Sequence, residues 1–381
     1  MKQLKKILRW FFIVLFSSLI LLSLALIVTG KSYVFKAILY NFADIDDYKI
    51  FDNNLIKASS PLPLPLSASY NKIRVDNPLH SELEKIQSVA FLVVRNDSLL
   101  YEEYWDGYSD TSLSNSFSMA KSVCCMLTGI ALKEGKIHSL DDPVGNYLPE
   151  WKEGAKKEIT IRHLLTMTSG TDWDESYANP LSMTSEAYYG WDLTALMKKI
   201  AASKKPGTEW YYKSGDSQLL GLVLRAATGK SLSEYASEKL WSPIGAEQNA
   251  LWSTDKKNGV EKSFCCFNSN ARDFARIGML WLHQGNWNGK QIVDSSFVQE
   301  SILPSLVPDR EDHQPVDFYG MQWWILPKQN IFYARGILGQ YIIVIPEKNI
   351  VIVRLGKSRG EKTGKTFSEV LKMIDWAKEK L

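Results

Sequence analysis

The hydrophobic pattern divides the chain into unlike parts. Residues 10–28 form one run without a charge, WFFIVLFSSLILLSLALIV. A membrane span needs roughly 20 apolar residues, and this run has no polar face that would suit it to a protein core. An uncleaved anchor is the preferred reading; a cleaved signal peptide, with a shorter apolar region, is its rival. Residues 31–58 are mixed and carry no clear period. Residues 59–66 read SSPLPLPL, where alternating prolines impose an extended segment, a spacer or a surface strap.

From about Leu83 the pattern is that of a globular domain. Two β-rich runs within residues 88–105 flank Asn96-Asp97, a hairpin signature. Residues 118–237 are mostly helical in period, with segments ending at glycine stop signals. Strands are expected again at 320–326, 331–344 and 350–355, the last two joined by the turn-like Pro346-Glu347-Lys348-Asn349. A closing amphipathic helix follows, with Thr366 and Glu369 placed as a capping box. Strands at both ends with helices between them predict an α+β fold whose terminal strands join in one mostly antiparallel sheet, flanked by helices and carrying an inserted helical region. The expected division is an anchor over 1–30, a linker or stalk over 31–82 and a catalytic domain over 83–381.

Composition and charge narrow the function. The chain has 381 residues, 45% of them apolar, and a formal charge of +3. That excludes a disordered or collagenous chain and argues against a nucleic-acid partner. Lys2, Lys5, Lys6 and Arg9 account for the positive excess and precede the apolar run. Retained on the cytoplasmic side, they would make this a single-pass cytoplasmic (inner) membrane protein with its domain on the extracytoplasmic, periplasmic side. The four cysteines form two adjacent pairs, Cys124–Cys125 and Cys265–Cys266. Neighbouring cysteines seldom bond to each other, so small buried hydrophobes are the default and a bridge between the pairs the lesser reading. No zinc-like spacing occurs, and neither a metal nor another cofactor is expected.

The chemistry has no GxSxG elbow and no HExxH. The five histidines are scattered, and His163 reads as a packing residue in a structural turn. The glycine-containing stretch 360–366 is one residue short of a phosphate loop and lacks the fold around it. Ser-x-x-Lys occurs three times, at Ser69/Lys72, Ser118/Lys121 and Ser253/Lys256. Only Ser118 opens a strongly apolar helix, where residues three apart share a face. A lysine in an apolar setting loses proton affinity and can serve as a base. Tyr212-Lys-Ser214 lies in a loop before a second helix, and a phenol there can relay protons.

Taken in order, these segments resemble the serine β-lactamase and penicillin-binding-protein superfamily, in the branch related to class C β-lactamases. The resemblance covers most of residues 85–360. It rests on Phe117-Ser-Met-Ala-Lys121-Ser122, Ile161-Arg-His-Leu-Leu-Thr-Met-Thr-Ser-Gly170, Tyr212-Lys-Ser214 and Asn270-Ala-Arg-Asp273-Phe-Ala-Arg276-Ile-Gly278. The Tyr-x-Ser variant, the 252–255 stretch and Gly336-Ile-Leu-Gly-Gln340 are most similar to 6-aminohexanoate-dimer hydrolase and esterase-like serine hydrolases.

The resemblance implies a β-lactamase/transpeptidase-like fold in which Ser118 is the acylated nucleophile, Lys121 its base and Tyr212 the proton relay. Ser214 takes the place of a substrate-orienting Asn. Asp216 either orients Lys121, binds substrate or caps its helix. The family's third motif departs here. The literal Lys362-Thr-Gly364 follows the last expected strand and is read as a decoy, whereas 334–339 has the better spacing. There Ala334 replaces the cation, Gly336 borders the substrate, and the Ile337 amide would join that of Ser118 as an oxyanion donor. Loss of the cation favours small neutral esters or amides over β-lactams. The alternatives are a D-alanyl-D-alanine carboxypeptidase or β-lactamase acting on a peptide-like substrate, and an inactive penicillin-binding-like module.

Overall fold

The hairpin at Asn96-Asp97 forms because both residues take left-handed backbone angles, φ 48° and 61°. Asn and Asp tolerate this better than most side chains do, and the resulting turn matches the twist of paired strands. It joins strands Ser88–Arg95 and Ser98–Tyr104. They make one edge of a six-stranded antiparallel sheet in the computed structural model, which describes residues 2–381. The spatial order continues through Ile350–Gly356, Gln340–Ile345, Ile331–Gly336 and Trp324–Leu326. The first two strands of the chain's body thus pair with its last ones, as the sequence pattern requires.

Both faces of this sheet are covered, which is why its central strands read as unbroken apolar runs. Phe91, Val93, Ile343 and Ile352 point into a smaller core shared with helices Asn77–Lys85 and Ser368–Lys380. Leu92, Val94, Ile342 and Val353 point into the main core, with helices Met119–Lys133, Ser214–Thr228 and Ala271–Leu282. Gly278 lets the last of these helices approach the sheet. A Cβ there would sit 2.6 Å from Val351 and 2.8 Å from Ile342, an overlap of the kind that costs about 1–3 kcal/mol.

Three local expectations change. The strand expected over 331–344 is broken by a helical turn at Ile337–Gly339, where Leu338 and Gly339 have φ of 61° and 82°. The capping box at Thr366 is absent. Helix Ser368–Lys380 starts later, Thr366 accepts a hydrogen bond from Tyr333, and Glu369 accepts one from Tyr341. Tertiary partners outcompete the local cap.

The stalk reading of 31–82 is also corrected. Tyr33, Val34, Ala37, Ile45, Ile56 and Leu64 belong to the main core. Strand Asn53–Ile56 joins a second, four-stranded sheet with Ala250–Ser253, Phe267–Ser269 and Ser114–Asn115. The proline-rich segment lies along the body. The Leu62 carbonyl accepts from the buried Arg276, and the Leu64 amide donates to Glu247. Helix Lys2–Val28 is different, because its apolar stretch is exposed except near its end, where Leu26 packs on the main core.

One buried cation stands outside these networks. Lys262 is fully buried, its Nζ lies 4.6 Å from the Phe51 ring centroid, and it has no hydrogen-bond partner among the described residues. Burial pushes its pKa down to about 7, against the opposing pull of Asp255 and Asp52. Between that value and the ordinary lysine value the unfolded chain binds the extra proton, so stability rises with pH across the window. Lys262→Met is expected to melt higher than the parent near neutral pH and to lose that pH slope. Thermal melts at pH 7 and about two units higher check both.

Candidate active site

The turn that carries Ser118 is held in an unfavourable backbone state. Phe117, immediately before Ser118, has φ 44°, a left-handed angle that a bulky side chain adopts only under constraint. Asn115 Oδ1 accepts from the Phe117 amide at 2.9 Å, and the Ser116 amide donates to the Phe267 carbonyl at 2.9 Å. The short pairing of Ser114–Asn115 with Phe267–Ser269 anchors both sides of the turn. Gly336 closes it from the large sheet. A Cβ there would meet the Ser116 carbonyl at 2.3 Å, so only glycine lets that strand end so near the serine.

One helical turn on, Lys121 is 1% exposed. Its Nζ lies 2.9 Å from Ser118 Oγ, 3.2 Å from Ser214 Oγ and 2.9 Å from the Phe264 carbonyl. A neutral amine has two N–H donors and one lone pair, so it can donate to two of these oxygens and turn the lone pair to the Ser118 hydroxyl. The rings of Tyr212 and Phe264 cover it at 5.0 and 5.8 Å from their centroids. The Phe264 carbonyl is aimed by its neighbours. The Ser263 amide donates to Gln218 and its hydroxyl to the Ser217 carbonyl, while the Cys265 amide donates to Lys262. Gly221 permits this contact, since a Cβ there would lie 2.3 Å from Ser263 Oγ.

The sequence reading missed Glu175. Its Oε1 accepts from Ser214 Oγ at 2.7 Å and its Oε2 from the Ser214 amide at 2.6 Å. Trp173 Nε1 donates to the same carboxylate at 2.7 Å, and the Tyr177 hydroxyl donates to it as well. Ser214 is thereby turned so that its oxygen accepts from Lys121 while its proton goes to Glu175. No spacing motif marks Glu175; it arrives from a loop some 39 residues upstream of Ser214 in the chain.

Asp216 does not join this group. It is buried and accepts from Ser169 Oγ at 2.5 Å and Thr171 Oγ1 at 3.3 Å, with Lys213 Nζ at 3.8 Å. Two residues beyond Ser214 on a helix is over half a turn around, so the side chain points away from Lys121. Of the open readings, contact with Lys121 or substrate is corrected; Asp216 ties the helix to the Thr168-Ser169-Gly170 segment. His163 reciprocally caps its own short helix with Thr160, which accounts for it without catalysis.

The third wall is the helical turn Ile337–Gly339. The Ile337 carbonyl accepts from Gln340 Nε2 at 3.1 Å. The Leu338 and Gly339 carbonyls accept from the fully buried Arg354 at 2.9 and 2.7 Å. Arg354 stands on the central strand, so the sheet itself holds this turn. Lys362-Thr363 instead forms the exposed strand of a small hairpin with the buried Thr366-Phe367. The expected lack of a cation is corrected by Arg335, next to Ala334 in the third-motif segment, and by Arg359. Both line the cavity, and among the described residues neither has a carboxylate partner. Arg335 stacks 3.3 Å from the Trp324 ring centroid.

The cavity measures about 510 Å³. Ser118, Tyr212, Ser214, Gly336 and Ile337 open onto it together with Phe42, Tyr188 and Tyr189. Cys265 also lines it, and it is bonded to Cys266. This corrects the expectation for the cysteines: the adjacent pair is the disulfide, while Cys124 and Cys125 are free and buried. Adjacent side chains meet here because Cys266 takes a left-handed backbone, φ 66°.

The family model described as Beta-lactamase matches residues 79–366, most of the chain. The chain belongs to the β-lactamase family. It is 26% identical over 294 residues to the 6-aminohexanoate-dimer hydrolase of Paenarthrobacter ureafaciens, covering 73% of this chain and 74% of that one. A solved structure from Bacillus anthracis, assigned as a 6-aminohexanoate-dimer hydrolase, superposes with a TM-score of 0.75 at 25% identity, covering 88% and 92% of the two chains. A family VIII carboxylesterase shares the fold, with a TM-score of 0.64 at 17% identity over 83% of this chain and 99% of that one. The protein is a serine hydrolase of this family, with esterase- and amidase-like relatives.

Within this β-lactamase-family site, two outcomes are expected. Glu175→Gln removes a hydrogen bond to a charged acceptor, worth about 1.5–3 kcal/mol. It should lower kcat by about 10–100-fold with the fold intact; steady-state kinetics beside a thermal melt checks this. Alkylation in denaturant should find two free thiols without reductant and four with it, as read by peptide mass mapping.

Proposed function

We propose that the chain is a membrane-anchored extracytoplasmic serine hydrolase that cleaves ester or amide bonds through an acyl-enzyme on Ser118. The 2.9 Å contact between Lys121 Nζ and Ser118 Oγ, in a site closed to water on the lysine's side, carries this reading. Lys121 accepts the Ser118 proton as Oγ bonds to the substrate carbonyl carbon. Tyr212, whose ring faces the Lys121 amine, gives its hydroxyl proton to the leaving oxygen or nitrogen as its bond to carbon breaks and is reprotonated from Lys121. Water then attacks the acyl carbon by the reverse proton route and frees Ser118.

The tetrahedral oxyanion is met by the amides of Ser118 and Ile337. Each begins a helical turn, where an N–H has no partner inside the helix. Gln340 and Arg354 hold the Ile337 side rigid by fixing three successive carbonyls. Ser214 and Gly336 border the substrate.

Localisation rests on other features. The most apolar 18-residue stretch of Gln3–Val28 has a mean hydropathy of 2.9 and none of it is fully buried, and the basic cluster precedes the apolar run. A disulfide is at home in an oxidising compartment. Arg335 and Arg359 favour a second reading of substrate preference, in which the acyl donor bears a carboxylate, as D-alanyl-D-alanine peptides and β-lactams do. Release of D-Ala or opening of nitrocefin decides for it. The inactive binding module is disfavoured by the complete Ser118, Lys121 and Tyr212 set.

Ser118→Ala should abolish labelling by a fluorophosphonate and the burst from an activated ester. Lys121→Ala should lower the acylation rate by about 10²–10⁴-fold. Gel fluorescence and stopped-flow absorbance read the two. Labelling undiminished in Ser118→Ala would sink the proposal.

A further inference from the structure

The wall of the cavity nearest the N-terminus is built by chain that has just left the anchor helix. Four residues, 29–32, separate Lys2–Val28 from helix Tyr33–Tyr40. Even fully extended they span at most about 14 Å. Leu26, in the last turn of the anchor helix, already packs on the main core. The body is therefore held directly against the end of the apolar helix.

Helix Tyr33–Tyr40 is apolar on two sides. Tyr33, Val34 and Ala37 are buried against the body, where the helix lies on helix Met183–Tyr189. Phe35, Ile38 and Leu39 face outward, and Leu39 is 74% exposed. Phe42 follows at 80% exposed, with Tyr177, Leu181 and Trp191 bare beside this region. A patch of this kind on a soluble face would be a liability. The same patch contains interfacial aromatics and is bordered by Lys31 and Lys36, the latter 5.7 Å from the Trp191 ring centroid. Such residues settle at the headgroup level of a bilayer.

The patch runs into the active site without a break. Tyr40 stacks on Tyr189 with ring centroids 6.4 Å apart. Tyr189, Asn41, Phe42 and Ala43 line the cavity that holds Ser118. From this continuity we infer that the outer face of helix Tyr33–Tyr40 lies in the membrane interface and that the cavity receives its substrate from there. The substrate class is a bilayer-resident amphiphile carrying a hydrolysable acyl ester or amide, its hydrocarbon part entering past Phe42 and Tyr189. A membrane is favoured over a protein partner because the patch continues from the apolar anchor. This inference rests on the anchored-hydrolase reading above and names the source of its substrate.

The test uses the full-length chain in vesicles of mixed zwitterionic and anionic phospholipid, with two fluorogenic esters of the same alcohol. One is a short-chain, water-soluble ester; the other is a long-chain ester embedded in the vesicle. Ile38→Glu/Leu39→Glu alters only the outward face and touches none of the cavity residues. The double variant should hydrolyse the soluble ester like the parent and the embedded ester at least about fivefold more slowly. Equal rates of parent and variant on the embedded ester would overturn the inference while leaving the hydrolase intact. Extraction of the parent from vesicles by alkaline carbonate would instead remove the anchor reading, and this inference with it. Loss of soluble-ester activity in Ser118→Ala reports separately on the nucleophile.

Discussion

The structure depends on burying one lysine amine beside one serine hydroxyl. An amine taken out of water needs its hydrogen-bonding positions met, and Lys121 has three oxygen partners for them. These come from three separate pieces of chain: the helix that carries Lys121 itself, the start of the helix at Ser214, and the loop at Phe264. Each piece must arrive at hydrogen-bond distance together. Much of the architecture serves that requirement. The four-stranded sheet joins the nucleophile turn to the Phe264 loop, and Gly221 lets the Ser214 helix close on that loop.

The same logic extends outward through carboxylate and guanidinium. Glu175 accepts four donors and leaves Ser214 only one way to turn. Arg354 spends its buried donors on the carbonyls of Leu338, Gly339, Ser358 and Ile86 and on Ser88. Its burial pulls its pKa down to about 10, still far above neutral pH, so it remains a cation there. Gly339 and Gly356 leave room for it; a Cβ at either would lie 2.2 Å from the guanidinium. The strained angles at Phe117 and Leu338, on opposite sides of the reacting position, persist because these surroundings determine them.

The chain that follows the N-terminal apolar helix shows how one short helix can present two apolar faces. Tyr33 and Val34 are core residues, while Ile38 and Leu39 a turn later are bare. A purely sequence-based view treats this stretch as a connector, because eight residues apolar on nearly every side have no single face to detect. In three dimensions the inner face completes the core, and the outer face is left for whatever borders the anchor.

The sequence by itself determined the hairpin, the antiparallel pairing of terminal strands, the anchor-like helix and the residues Ser118, Lys121 and Tyr212. These are local matters: period, turn chemistry and side chains one helical turn apart. Only the tertiary structure decided the rest. Glu175, Arg354 and Arg359 have no spacing to announce them, because they meet the site from distant segments. Asp216 looked suitable by proximity in sequence and was turned away by the helix it stands on. The Cys265–Cys266 bond needed a left-handed backbone at Cys266 that composition does not reveal. Periodicity records which face of an element is buried; it carries no record of which distant group is buried against it.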